Sequence, residues 1–144
     1  MKTLQTTYLK LQPVYPSLTK GLDGSKTFKE LKLLAKAARR FQDQMIDIET
    51  ATKTKVDSWN EVNPPLKEED EDYVEKANER AKALRDFQQK IDEFHKEELE
   101  FDLTKEELQA IQEAVLSYKP SKDVQTPSLI AISEFLDDVE AALE

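Results

Sequence analysis

The sequence predicts a mostly α (α+β) protein in which a long antiparallel helical hairpin is combined with a small two-stranded β ribbon and two shorter C-terminal helices. Two long segments with helical apolar spacing flank Pro64-Pro65, and short alternating segments lie near residues 2–11 and 99–103. We expect a single domain over 1–144, divided into an N-terminal strand and turn (1–24), a long α-hairpin (25–98), and a short strand with two helices (99–144).

The N-terminal segment is rich in β-branched and aromatic residues that partly alternate, which predicts a strand over about 2–11. Pro13 and Pro16 interrupt this pattern, so we expect only a short helical turn after the strand. The two glycines of the chain, Gly21 and Gly24, then predict a loop.

The first long helix begins at Thr27, which forms a capping box with Glu30, and it extends to about residue 60. Its apolar positions follow helical steps of three and four residues: Leu31, Leu34, Ala38, Phe41, Met45 and Ile48, extended less regularly by Thr52, Val56 and Trp59. A helix of this length measures roughly 50 Å and needs a neighbour of similar length.

The second long helix supplies that neighbour. Asn63-Pro64-Pro65 ends the first helix, and the acidic run at 68–72 is typical of a helix N-terminus. The apolar stripe then resumes at Val74, Ala77, Ala81, Leu84, Gln88, Ile91 and His95. We expect two helices of matched length, packed antiparallel at a shallow angle.

The C-terminal part begins with the alternating segment 99–103, which we expect to pair with the N-terminal strand. Thr104 and Glu107 form a second capping box that opens a helix to about Tyr118. Thr126 is the expected cap of the last helix, with Pro127 at its first position.

The composition excludes several classes of chemistry. The chain has no Cys, one His and two Gly, which removes disulfides, thiolate metal sites and glycine-rich phosphate loops. No serine lies in a G-x-S-x-G sequence, and no pair of carboxylates stands apart from the other acids. We therefore predict a protein that is not an enzyme, with no catalytic residue, metal or cofactor, and with His95 as a partly buried seam residue.

The start of the chain and its hydropathy favour a cytoplasmic protein. Met1 is not followed by an apolar region, and no stretch approaches the roughly 20 apolar residues that a membrane span needs. The absence of Cys fits a reducing compartment. We expect no membrane association.

The net charge of −9 is distributed unevenly. Residues 1–66 carry 11 basic and 7 acidic groups, a net charge of +4, whereas residues 67–107 carry 8 and 16, a net charge of −8. Residues 108–144 carry 2 basic and 7 acidic groups, a net charge of −5. The sequence therefore predicts a molecule with one basic and one acidic part.

One side of the first long helix carries a basic stripe: Lys29, Lys32, Lys36 and Arg39, with Arg40 and Lys26 adjoining. This stripe could bind phosphates or an acidic partner. Alternatively, antiparallel pairing brings it alongside the acids at the end of the second helix: Asp92, Glu93, Glu97 and Glu98. We favour internal pairing, because the net charge of −9 works against nucleic-acid binding.

Two further surfaces are candidates for partner binding. The acids of the last helix, together with the acidic run at 68–72, could imitate a phosphate backbone, although a solvated acidic face is the simpler interpretation. The acids of the last helix are Glu134, Asp137, Asp138, Glu140 and Glu144. Trp59, near the hairpin tip at Pro64-Pro65, is either a protruding contact for a partner or the end of the apolar seam.

Four short motifs carry a family resemblance: Met1-Lys2-Thr3-Leu4; Leu11-x-Pro13-Val14-Tyr15-x-x-Leu18; Glu97-Glu98-Leu99-x-Phe101-Asp102-Leu103; and Phe135-Leu136-x-x-Val139-x-x-Ala142-Leu143-Glu144. With the long charged helical pair between them, they resemble a family of small uncharacterised proteins (a domain of unknown function) encoded by tailed phages of Gram-positive bacteria. The resemblance implies a phage product acting in the bacterial host cytoplasm, and the family offers no catalytic residues to transfer.

The expected function is that of a non-enzymatic phage protein that binds and modulates a host or phage protein. Its concrete form is an inhibitor of host defence or replication that acts by steric occlusion. The alternative is a structural or tail-assembly accessory protein, self-associating for example as a homodimer. Nucleic-acid binding through the basic stripe, or mimicry of DNA by the acidic faces, is the third hypothesis.

Overall fold

A computed structural model of the chain describes residues 1–19, 26–69, 71–119 and 123–144. It confirms the predicted mostly α (α+β) fold class with a helical hairpin, a two-stranded ribbon and C-terminal helices, and it contains five helices in all. The elements follow in the order β1 (Lys2–Thr7), α1 (Tyr8–Thr19), α2 (Phe28–Val62), α3 (Tyr73–His95), β2 (Glu98–Leu103), α4 (Lys105–Ser117) and α5 (Thr126–Leu143).

The ribbon pairs β1 with β2 in antiparallel register, with Leu4 opposite Phe101, as the alternation in both segments predicts. One face of the ribbon is buried, whereas polar pairs such as Thr3 and Asp102 hydrogen-bond on the outer face. Next to the ribbon, the Arg40 guanidinium of α2 donates to the backbone carbonyl of Asp102. This contact ties β2 to the long helix.

The first helix corrects the sequence prediction. The strand ends at Thr7 rather than near residue 11, and the following 12 residues form α1 with Pro13 and Pro16 inside it. The reason is that burial of a helical stripe of side chains outweighs both the β propensity of the segment and the two backbone donors that the prolines lack. The buried stripe consists of Tyr8, Leu11, Val14 and Leu18. The predicted loop at Gly21 and Gly24 lies outside the described residues.

The hydrophobic core lies between the ribbon, α1, α4, α5 and the first half of α2. Phe41 of α2 is fully buried and meets Phe101 and Phe135 edge to face, with ring centroids 4.7 and 6.3 Å apart. The Thr104 capping box of α4 is formed as predicted. In α5 the cap is Gln125, so Thr126 is the first helical residue rather than the cap.

The hairpin is present, but its two helices differ in length: α2 has 35 residues and α3 has 23. The expectation of matched lengths is wrong, because α1 and α4, rather than α3, cover the first half of α2. Beyond Met45, α2 has no fully buried side chain, and neither does α3. We call residues 49–62 of α2 together with α3 the arm.

The register of the arm is set by side-chain contacts between its helices. Near the core, Thr52 Oγ1 and His95 Nε2 lie 2.9 Å apart. Further out, the rings of Trp59 and Phe87 stack with centroids 5.6 Å apart. The arm is thus only two helices thick, and both helices keep one side uncovered by the rest of the described chain.

Candidate functional site

The basic stripe lies on the outer side of the first half of α2. The opposite side of the same turns packs into the core through Leu34, Ala38 and Phe41, which fixes the stripe's orientation. Four of its cations are exposed: Lys29, Lys32, Lys36 and Arg39. They extend over ten residues, or about 15 Å of helix.

The predicted internal pairing of this stripe is not found. The last residue of α3, His95, contacts Thr52, which lies 13 residues along α2 from Arg39, or about 20 Å. The acids at the end of α3 therefore lie far from the stripe. Among the residues that the structure describes, Lys29, Lys32, Lys36 and Arg39 form no ion pair. Within the described part of the chain, the stripe is therefore a cationic surface without ion pairs.

Arg40 differs from the other cations of the stripe because its guanidinium makes contacts within the molecule. Its guanidinium lies 3.7 Å from the carboxylate of Glu107, which is only 3% exposed, and also contacts the Asp102 carbonyl. The other oxygen of Glu107 accepts from the Thr104 backbone in the α4 capping box. Arg40 therefore joins α2 to α4 and β2 and is a structural cation.

The predicted acidic site on α5 does not form one continuous surface. Asp138 is half-buried and its carboxylate accepts from the Lys10 ammonium at 3.0 Å. Glu134 borders a different feature, an open cleft of about 700 Å³ between α1 and α5 that also contains Lys10 and Lys96. Asp137 is exposed. The acids are thus divided between an internal ion pair, a mixed-charge cleft and solvent.

Trp59 lies on the side of the arm, where it forms the floor of a groove with Phe87. The groove has a volume of about 480 Å³, and Val62 and Ile91 add to its apolar lining. Val62 is 79% exposed. The Trp59 ring stacks on Phe87 of the other helix, as expected of a residue at the end of the seam, and it also borders an open groove. Its role as a partner contact stays a prediction.

Three cations surround this aromatic cluster. The Lys55 ammonium lies 5.0 Å from the Phe94 ring centre, and the Arg80 guanidinium lies 5.1 Å from that of Trp59. Lys90 lines the groove on the α3 side. The groove lining contains no carboxylate, and none of the three cations makes an ion pair within the described ranges.

His95 and Tyr8 pack ring against ring where the arm meets the core. Their ring centroids are 4.7 Å apart, and the Tyr8 hydroxyl donates to Glu49. Burial raises the pKa of Tyr8 to about 12, with the Glu49 carboxylate adding to the effect. Burial lowers the pKa of His95, and nearby Asp92 opposes that shift. The prediction that His95 is a partly buried seam residue is confirmed.

Sequence reasoning missed the groove because it placed Ile91 in the seam and did not fix the register of the two helices. Lys55, Arg80 and Lys90 were not among the predicted binding residues. The available signal was an aromatic residue on each helix, with cations one turn or two turns away on the same side. Only the antiparallel register of the arm brings them together.

Within the described ranges, no group of three or more His, Asp or Glu side chains is arranged to hold a metal ion. The helices of the same ranges include none that is both long enough and apolar enough to cross a membrane. Comparisons with protein-family models, curated proteins and solved structures find no match to this chain. Its function is therefore inferred from its own surface chemistry.

Proposed function

We propose that this chain is a non-enzymatic phage protein that binds an acidic surface on a host or phage protein in the bacterial cytoplasm. Its concrete role is inhibition of host defence or replication by steric occlusion. The basic stripe, Lys29, Lys32, Lys36 and Arg39, holds the partner. The observation that carries the proposal is that these four exposed cations have no ion-pair partner in the described part of the chain.

The chemistry of the stripe favours an acidic protein over nucleic acid. A molecule with a net charge of −9 is repelled by a polyanion over long distances, whereas a protein partner presents a local acidic patch beside neutral or basic surface. Exposed Phe28 lies next to Lys29 and provides an apolar contact at the same surface. Four cations over about 15 Å of rigid helix match a local patch.

The test is reversal of the stripe in the triple variant Lys29→Glu, Lys32→Glu and Lys36→Glu. We expect it to lose a partner that the tagged wild-type protein retains from nuclease-treated bacterial lysate. We also expect the melting temperature to stay within about 2 °C of wild type, because the variant breaks no ion pair among the described residues. Mass spectrometry identifies the partner, and circular dichroism gives the melting temperature.

A matched control reverses two exposed lysines of the arm, Lys53→Glu and Lys82→Glu, which changes the net charge in the same direction. Retention of the partner by the control, together with its loss by the stripe variant, supports the proposal. A partner that disappears on nuclease treatment identifies nucleic-acid binding instead. Recovery of only phage structural proteins, or of the chain itself, identifies an assembly role and contradicts the proposed inhibitor.

A further inference from the structure

We propose that the groove of the arm binds a short amphipathic α-helix of another protein, with carboxylates at both ends of the helix's apolar face. This site is separate from the basic stripe and goes beyond the function proposed for it. The groove has an apolar floor of Trp59, Phe87 and Ile91, and Lys55 and Lys90 also line it. Arg80 does not line the groove, but its guanidinium lies over the Trp59 ring at the edge of the floor.

The shape of the groove fits a helix. It lies between two antiparallel helices and follows α2 from Thr54 to Val62, about two turns or 12 Å. A third helix laid along such a seam places its apolar residues, spaced three or four apart, between the side chains of both neighbours. Trp59 and Phe87 give the floor a large apolar area that the rest of the described chain leaves uncovered.

The charges specify an acidic helix. Lys55 and Lys90 lie on the core side of the stacked Trp59 and Phe87 rings, and the groove lining holds no carboxylate. On the tip side, Arg80 donates to the Asn63 carbonyl, while its buried Nε makes no hydrogen bond within the described residues. Three cations around one apolar floor, none of them ion-paired there, are complementary to negative charge.

The spacing of these cations defines the ligand further. Lys55 and Asn63, whose carbonyl accepts from Arg80, are eight residues apart along α2, or about 12 Å. A docked helix therefore meets cations at both ends of its contact if its carboxylates are about seven or eight residues apart. Apolar residues between them face Trp59 and Phe87.

A second copy of this chain is a poorer occupant. A symmetric contact between two grooves sets each groove against the same surface of its partner, so Lys55, Lys90 and Arg80 would face like charges. An asymmetric contact with another face of the copy either closes into a ring or continues into an open chain. The charge argument thus disfavours the symmetric contact, and the proposal commits to a different protein.

The experiment uses the full chain and two synthetic peptides. One is a helix-forming peptide of about three turns, with leucines at helical spacing and glutamates at both ends of the leucine face; the other has lysines in place of those glutamates. Trp59 is the only tryptophan, so its emission reports on the groove directly. We expect a saturable shift of that emission with the glutamate peptide and at least about tenfold weaker binding of the lysine peptide.

The double variant Lys55→Glu and Lys90→Glu should bind the glutamate peptide about tenfold more weakly, with an unchanged circular dichroism spectrum. The control Lys53→Glu and Lys82→Glu alters exposed residues of the arm that do not line the groove and should bind as wild type does. The stripe variant should also bind as wild type does, which keeps this test independent of the proposed function.

Three results would overturn the proposal. If the glutamate peptide causes no change of emission, the groove is not a binding site for such a helix. If both peptides bind equally, the groove has no preference for carboxylates. A change of Trp59 emission on dilution of the protein alone shows that a second copy covers the groove.

Discussion

At the scale of single residues, the contact between Tyr8, Glu49 and His95 connects the core to the arm. Tyr8 is the first residue of α1 and is almost fully buried, yet its hydroxyl reaches Glu49 at 3.1 Å, near the start of the arm. His95 lies against the same ring and contacts Thr52. The junction therefore combines apolar packing with hydrogen bonds that must remain intact for the arm to keep its direction.

Replacing Tyr8 by Phe removes the hydrogen bond to Glu49 and should lower the free energy of unfolding by about 1 kcal/mol at pH 7. The pKa of Tyr8 in the folded protein, about 12, lies above the ordinary value of 10, so the contribution of its hydroxyl to stability is complete below pH 10. It is lost as the pH rises from 10 towards 12, and the advantage of wild type over the variant should shrink in that interval. Urea unfolding at pH 8 and pH 11 measures this change.

Tyr118→Phe is the control for Tyr8→Phe, because the Tyr118 side chain makes no hydrogen bond within the described ranges. A stability difference between wild type and Tyr8→Phe that stays constant from pH 8 to pH 11 would contradict the assignment.

The partial burial of His95 was predictable from the sequence, because an apolar stripe at helical spacing includes this residue. It did not find the partners of His95 or the bond between Tyr8 and Glu49. Those contacts join residues 41 or more positions apart, and their formation depends on how α1 packs beside the hairpin. Local periodicity carries no information about such pairs.

At the scale of elements, the sequence predicted best those features that depend only on neighbouring residues. Both capping boxes, at Thr27 and Thr104, are formed as the Thr-x-x-Glu spacing predicts, because a cap involves only neighbouring residues. The prediction was wrong for α1, because residues 8–11 were assigned to the strand and the two prolines were expected to limit the helix to a short turn. Burial of the helical stripe decided that segment, and burial depends on distant elements.

The arm should open more readily than the rest of the molecule. Its outer helix α3 has no fully buried side chain, whereas residues 34–45 of α2 pack inside the core. We expect amide hydrogens of α3 and of residues 50–62 to exchange at least about tenfold faster than those of residues 34–45, by exchange mass spectrometry. Equal protection along all of α2 would contradict an arm that is stabilised separately.

At the scale of the whole molecule, one core involves both ends of the chain. β1 and α1 from the N-terminal part pack against α4 and α5 from the C-terminal part, and the first half of α2 lies against them. The sequence predicted helices α2 to α5 and the strand pairing, but it assigned the cover of α2 to α3. Periodicity shows that a helix has an apolar face and does not show which element covers that face.

The core and the arm should therefore respond differently to loss of an apolar side chain. Leu108→Ala in α4 creates a cavity at a fully buried position and should cost about 2–5 kcal/mol. Ile91→Ala, at a half-exposed position of the arm, should cost about 1 kcal/mol or less. Urea denaturation followed by circular dichroism compares the two, and equal losses would contradict a core confined to one end of the hairpin.

The continuity of α2 has a geometric consequence. The same unbroken helix carries the basic stripe on its first half and Trp59 on its second half, 20 residues from Arg39, or about 30 Å. It acts as a rigid spacer, so two segments of one target bound at its two ends are held at a fixed distance. Each bound segment then raises the effective concentration of the other, and two weak contacts combine into a strong one.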